Sequence, residues 1–116
     1  IGNIGGTFTG ATNLTNIDLL HLKKDGSQTF SNTVFFNCIN LTEIRIKGRI
    51  GKSVNMQHCK NLSKDSIKNT EQTGIIDVLI DTGEVQTLTL PSSVRNYFTD
   101  QEWSGMIPPN WNLSFV

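Results

Sequence analysis

Two cysteines have the widest chemical repertoire in this sequence, because a thiol can bind a metal, act as a nucleophile or form a disulfide. Cys38 and Cys59 lack the short Cys-x-x-Cys spacing that is typical of a zinc site. They occupy the same place in successive copies of a repeated phrase, so copies stacked at strand spacing would bring their α-carbons within disulfide range. We expect two buried free thiols instead, since cysteine packs well as a small hydrophobic residue.

The histidines, His21 and His58, are weak candidates for catalysis. His58 lies beside Cys59, which suggests a Cys-His nucleophile or a metal site. Adjacent residues of a strand or turn point apart, however, and no carboxylate is placed to orient the ring. We therefore expect solvated histidines.

Three carboxylates, Asp77, Asp81 and Glu84, could cluster around a cation. Their spacing does not match a calcium-binding EF-hand loop, and strand alternation followed by a turn explains it better. The sequence thus predicts no catalytic residue, no metal site and no cofactor, and we expect the chain not to be an enzyme.

A repeated phrase determines the elements that position these residues. Residues 8–19 recur as 35–46, and a shorter third copy starts at Met56. The end of each longer copy alternates apolar and polar residues, which predicts a strand. One such unit cannot bury its own apolar face, so the copies must stack on one another. The matched positions are Phe8/Phe35/Met56, Ala11/Cys38/Cys59, Asn13/Asn40/Asn61, Leu14/Leu41/Leu62, Ile17/Ile44 and Leu19/Ile46.

The asparagine and small-residue positions have a local explanation as well. A small or thiol side chain at Ala11, Cys38 and Cys59 suits a tight inner corner. Asparagine side chains at Asn13, Asn40 and Asn61 are expected to bond to turn backbone.

These residues resemble BspA-type leucine-rich repeats, whose pattern reads Phe-x-x-Cys-x-x-Leu-x-x-Ile-x-Ile. The order of segments 61–67, 87–90, 99–103 and 110–115 is similar to the C-terminal ending of that family. The resemblance implies a leucine-rich-repeat solenoid, mostly β with short helices, with parallel stacked strands and a C-terminal α/β cap. Residues 1–62 would be the repeats and residues 63–116 the final rungs and capping segment. Both belong to one continuous domain, which we expect to be a piece of a longer protein.

The second half of the chain carries its own signals. Ser63 is expected to cap a helix over residues 64–71, although residues 68–72 are more polar than the helix of the family. The β-rich segments 75–80 and 85–90 fit either a hairpin or two separate rungs. Thr99 to Glu102 is a capping box, which starts a helix that Pro108 ends. Trp103, Met106 and Ile107 would share one helix face, and Trp111, Leu113 and Phe115 would alternate along a last strand that closes the stack.

Composition excludes several classes of partner. The 116 residues fit one domain, and the formal net charge of zero gives no general attraction to nucleic acid or to an anionic membrane. No apolar run approaches the roughly 18 residues that span a bilayer, so we expect no membrane insertion.

The outward side of the predicted strands is the best candidate for a contact face. Asp18 and Arg45 hold equivalent positions in neighbouring copies, so we expect them to form an exposed ion pair. A plain solvated sheet face is the alternative. The candidate contact residues are Asn16, Asp18, Leu20, Glu43, Arg45 and Lys47.

The resemblance implies a non-catalytic protein-binding or adhesion module of a bacterial cell-surface or secreted protein, in contact with a protein or cell-surface ligand. A structural or receptor-binding part of a phage tail or baseplate is the alternative, with location in the virion. An accessory domain of a larger enzyme is the second alternative. Terminal repeats normally need a cap, so self-association through an open N-terminal end of the solenoid is a further expectation.

Overall fold

The computed structural model describes residues 3–4, 8–21, 29–30 and 32–116. Short strands dominate the first half, and short helices alternate with longer strands in the second half. The strands are β1 (Asn3–Ile4), β2 (Asn16–Leu19), β3 (Thr29–Phe30), β4 (Glu43–Ile46), β5 (Val54–Asn55), β6 (Gln86–Leu90) and β7 (Trp111–Phe115). The α-helices are α1 (Lys64–Ile67) and α2 (Asp100–Met106), and 3-10 helices cover Ile76–Val78 and Ser92–Tyr97.

The strands pair in parallel and form three small sheets. β1 pairs with β3, β2 pairs with β4, and β6 lies between β5 and β7. The β2–β4 register aligns Ile17 with Ile44 and Leu19 with Ile46, which is the alignment that the repeated phrase predicts. Parallel strands and a mixture of small sheets with short helices are therefore confirmed.

Each copy of the phrase folds into the same pair of tight turns. The Ala or Cys of each copy donates its N–H to the carbonyl of the Phe or Met three residues earlier. The Leu three residues further on donates its N–H to the carbonyl of that Ala or Cys. The bonds are Ala11 N–Phe8 O, Leu14 N–Ala11 O, Cys38 N–Phe35 O, Leu41 N–Cys38 O, Cys59 N–Met56 O and Leu62 N–Cys59 O. Val94 N also donates to Pro91 O at 3.1 Å. The first of these turns thus occurs a fourth time, where the sequence shows no recognisable copy.

The thiols tie successive copies together. Cys38 Sγ lies 2.8 Å from Phe8 O, and Cys59 Sγ lies 2.9 Å from Phe35 O, in each case the carbonyl one copy earlier. Both cysteines are buried and free, so the prediction of two free thiols is confirmed. Each carbonyl also accepts an N–H from its own copy, so the thiol is a second donor that links two copies.

The asparagines make a second set of bonds between copies. Asn40 Nδ2 donates to Thr12 O at 2.6 Å, and Asn61 Nδ2 donates to Ile39 O at 3.0 Å. These acceptors are turn carbonyls, as predicted, but they belong to the preceding copy. The asparagine position therefore links copies to one another.

The core runs through all of these copies without interruption. Phe35, Leu41, Ile44, Met56 and Leu62 are fully buried, as the repeated apolar positions predict. Residues from the second half of the chain, among them Ile67, Ile75, Leu88 and Leu90, join the same cluster.

The third copy departs from the other two after its leucine. Ser63 N still bonds to Thr42 O, but α1 follows instead of a strand. Ser66 Oγ accepts the Ile44 N–H at 2.9 Å, so a hydroxyl takes the place of the next strand beside β4. The helix ends at Ile67, and the prediction that it continues to residue 71 is wrong.

Of the two arrangements expected for residues 75–90, the hairpin is wrong, because the two segments do not pair with each other. The first segment contains the 3-10 helix Ile76–Val78 and joins Ile50 through an isolated parallel bridge at Leu79. The second segment is β6, which pairs in parallel with β5 and β7. The two segments thus pair with different neighbours, as the alternative of separate rungs requires.

The C-terminal elements follow the sequence signals closely. Thr99 accepts the Glu102 N–H and its own N–H donates to the Glu102 carboxylate, which confirms the capping box. The bond from Thr99 N–H lowers the pKa of Glu102 because it favours the charged carboxylate. Trp111 is buried in β7, and the indole N–H groups of Trp103 and Trp111 donate to the backbone carbonyls of Arg95 and Ile80. The indoles are structural groups, not an exposed sugar platform.

Truncation of the shared core should destabilise the whole chain. Leu41 is fully buried at the centre of the stack, and Leu41→Ala is expected to lower the free energy of unfolding by about 2–5 kcal/mol. Val85→Ala is the matched control, because Val85 is 70% exposed and its truncation should cost less than about 0.5 kcal/mol. Urea denaturation followed by tryptophan fluorescence measures both. Equal losses of unfolding free energy in the two variants would contradict the burial of Leu41 in a shared core.

Candidate binding surface

The predicted contact residues lie where the repeat places them. Asn16 is opposite Glu43 and Asp18 is opposite Arg45 on the exposed side of β2 and β4, while Ile17 and Ile44 between them are buried. Leu20 and Lys47 directly follow the two strands; Leu20 is half-buried and Lys47 is exposed. The strand alternation therefore does present the predicted face to solvent.

The ion pair expected between Asp18 and Arg45 is absent from the described part of the chain. Arg45 Nη2 instead lies 2.8 Å from Glu71 Oε2, and Asp18 Oδ1 accepts the Leu20 N–H at 3.0 Å. Glu71 belongs to the loop after α1, which folds back beside β4. Residue types and spacing did not indicate that this loop would reach Arg45.

This loop and β4 enclose a polar cleft of about 730 Å³ that is open to solvent. Only two of its lining residues, Glu43 and Arg45, belong to the predicted contact face. The polarity of residues 68–72, which is unusual for a packed helix, was the signal that could have identified the others. The cleft is lined by Glu43, Arg45, Asp65, Lys68, Asn69, Thr70, Glu71, Gln72 and Thr73.

A buried carboxylate fixes the wall of the polar cleft. The side chain of Asp77 is only 2% exposed, and Lys68 Nζ lies 2.8 Å from its Oδ1. Its Oδ2 accepts the N–H groups of Asn69 at 3.1 Å and Gly74 at 3.0 Å. A buried charge is tolerated only when it is paired and hydrogen-bonded, and Asp77 meets both conditions.

Asn69 and Thr73 connect this wall to the sheet. Asn69 Nδ2 donates to Asp65 O at 2.8 Å and to Thr73 Oγ1 at 2.9 Å. Thr73 O in turn accepts the Ile46 N–H at 2.8 Å, at the end of β4. The loop is therefore held at both ends, which preforms the cleft.

A second hollow of about 340 Å³ continues the surface beyond Glu71. Lys47 and Arg49 line it, and both are exposed and form no ion pair within the described residues. Arg45 lies in β4, and Lys47 and Arg49 follow the strand on either side of a bend at Gly48. We call Arg45, Lys47 and Arg49 the basic row.

The remaining chemical candidates are not brought together. His58 is exposed and packs edge-on against Phe36, with ring centroids 5.2 Å apart. Asp81 accepts the Asn110 side-chain amide and the Gly83 N–H, and these bonds lower its pKa. Asp77 is bound in the loop wall, so Asp77, Asp81 and Glu84 form no carboxylate site. Within residues 3–4, 8–21, 29–30 and 32–116, no group of three or more His, Cys, Asp or Glu could hold a metal.

The described part of the chain contains no helix that is long and apolar enough to cross a bilayer.

Comparison of this chain with protein-family models, with curated proteins and with solved structures found no match in any of the three. The geometry of the surface is thus the basis for any functional assignment.

The buried and exposed ion pairs should differ sharply in their effect on stability. Asp77→Asn removes the charge that Lys68 pairs with inside the loop wall and is expected to cost about 1.5–3 kcal/mol. Glu71→Gln breaks the pair with Arg45, whose partners are 44% and 68% exposed, and should cost about 0–1 kcal/mol. Urea unfolding at low and high salt measures both; a larger loss for Glu71→Gln would contradict the assignment of Asp77 as the wall-fixing residue.

The Cys59 thiol should make the protein sensitive to alkaline pH. Burial raises its pKa from 9.0 to about 12, so the unfolded chain loses this proton before the folded chain does. The stabilisation is complete below about pH 9 and is lost as the pH rises towards 12. Urea unfolding from about pH 8 to about pH 11 should show a falling free energy of unfolding, with a shallower slope in Cys59→Ala. The same pH dependence of the unfolding free energy in wild type and Cys59→Ala would contradict the raised pKa of Cys59.

Proposed function

We propose that this chain folds as a leucine-rich-repeat solenoid and acts as a non-catalytic protein-binding module. The repeated corner bonds, the parallel pairing at one register and the continuous core support the solenoid assignment. Stacked repeats present long, regular surfaces, and such surfaces serve binding. The resemblance to BspA-type repeats supports a location on a bacterial surface or outside the cell.

The observation that carries the binding proposal is the basic row beside a preformed cleft. Lys47 and Arg49 are exposed and unpaired among the described residues, although the chain as a whole has no net charge. The unpaired charges of Lys47 and Arg49 attract a ligand of the opposite sign and speed its association, whereas Glu43 and Asp65 confine this attraction to one end of the surface. The partner is therefore an acidic segment of a protein ligand.

The cleft adds hydrogen-bonding groups to this electrostatic attraction. The side chains of Thr70 and Gln72 are exposed in the cleft and make no hydrogen bond within the described residues. The loop that carries them is fixed by Asp77, so little conformational entropy is lost when a ligand binds. An acidic peptide would lie along the basic row with its polar groups in the cleft.

A charge-reversal experiment tests the proposal with an oligo-glutamate peptide as the probe. Lys47→Glu combined with Arg49→Glu should weaken binding at low salt about tenfold or more, because two exposed charge pairs contribute roughly 1 kcal/mol each. Added salt should also weaken binding of the peptide to the wild type. Fluorescence anisotropy of a labelled peptide measures the Kd.

The matched control is Lys52→Glu combined with Lys60→Glu, which makes the same change in net charge at other exposed positions. At a salt concentration that screens long-range charge, the affinity of this control should remain within about twofold of that of the wild type. Equal losses in both double variants would show attraction to net charge alone and would overturn the assignment of the basic row.

A further inference from the structure

The last strand of the three-stranded sheet uses only one of its edges. Val116 N donates to Leu90 O at 3.0 Å, Val116 O accepts from Ser92 N at 3.1 Å, and Asn110 O accepts from Gln86 N at 3.0 Å. These even-numbered residues therefore face β6. Successive residues of a strand direct their backbone groups to opposite edges, so those of Leu113 and Phe115 face away from the sheet.

No described residue pairs with the outward backbone groups of Leu113 and Phe115. Trp111 differs, because its N–H bonds to Pro108 O at 3.3 Å. A hollow of about 350 Å³ lies beside the strand, between Trp111–Leu113 and the end of α2 at Ser104 and Ile107. The edge is thus unpaired and reachable from solvent.

The strand also lacks the usual protection of a free edge. Natural proteins guard edge strands with charged residues, proline, bulges or very short length. β7 is five residues long, pairs with β6 in an unbroken register, and residues 103–116 contain no charged side chain. Pro108 and Pro109 precede the strand and leave its own N–H groups free to donate.

We propose that β7 is a self-association site, on which β7 of a second copy pairs in antiparallel orientation about Leu113. The two Leu113 residues would then exchange backbone hydrogen bonds, and Phe115 N–H would donate to Trp111 O of the other copy. The pairing joins the three-stranded sheets of the two copies into one continuous sheet around a twofold axis.

The side chains of β7 match their own copy in this register. Trp111 comes opposite Phe115 on the inner face, which makes an aromatic cross-strand pair. Asn112 comes opposite Ser114 on the outer face, where both are polar and free of charge. The formal net charge of zero removes long-range repulsion between copies, and β7 itself carries no charged side chain that would favour a charged partner segment.

Charge variants on the outer face test both the site and its orientation. Asn112→Lys with Ser114→Lys places like charges opposite one another in the proposed pair, and Asn112→Lys with Ser114→Glu places opposite charges there. Their neighbours on β6, Thr87 and Thr89, are uncharged, so either change is compatible with the folded monomer. Circular dichroism and tryptophan fluorescence check that both variants fold.

Light scattering coupled to size exclusion, over increasing protein concentration, gives the mass. The wild type should rise from 12.9 kDa towards twice that mass, and the Lys/Glu variant should do the same. The Lys/Lys variant should associate about tenfold more weakly than the Lys/Glu variant. A wild type that stays monomeric at about 1 mM, or a Lys/Lys variant that associates as well as the others, would overturn the proposal.

Cysteine pairing tests the register. Asn112 and Ser114 of the two copies would form a non-hydrogen-bonded pair with α-carbons about 4.5 Å apart, within reach of a disulfide. A mixture of Asn112→Cys and Ser114→Cys proteins should cross-link under mild oxidation far more than either protein alone. Cys38 and Cys59 are buried, so the wild type measures the background level of cross-linking. Equal cross-linking in all three samples would contradict the antiparallel register, and cross-linking of an unrelated extended peptide to the edge in preference to a second copy would overturn the choice of partner.

Discussion

Side-chain bonds from each turn to the turn before it hold this fold together, because they connect turns whose own backbone bonds are purely local. The thiols of Cys38 and Cys59 reach back one copy to Phe8 O and Phe35 O. Each of these carbonyls also accepts an N–H from its own turn, so the thiol adds a bond between copies to one that already closes the turn. The turns therefore depend on one another through these side-chain bonds and through the shared core.

The same dependence explains what could be read from the sequence. A requirement that recurs in every turn selects the same residue at the same place, so the repeat revealed the strands, the β2–β4 register and the buried thiols. The capping box was equally readable, since Thr99 and Glu102 satisfy each other within one helical turn. Features governed by local bonding or by repetition were predictable from residue types and spacing.

The loop beside β4 could not be predicted in that way. Its shape depends on Asp77, which bonds to Asn69 and Gly74 across several residues and to Lys68 through its charge. In the sequence this aspartate looked like one polar position of an alternating strand. The predicted ion pair between Asp18 and Arg45 was wrong for the same reason, because the loop brings Glu71 to Arg45.

The small contact made by Ser66 has a consequence for the edge of β4. Its hydroxyl accepts the Ile44 N–H and donates to Thr42 O, so it ends the β2–β4 sheet without a further strand. Thr73 O accepts the Ile46 N–H on the same edge, and Ser66 and Thr73 are both buried. A strand of another chain therefore finds no free N–H at Ile44 or Ile46, and the segment after β4 protects this edge of the sheet from edge-to-edge pairing.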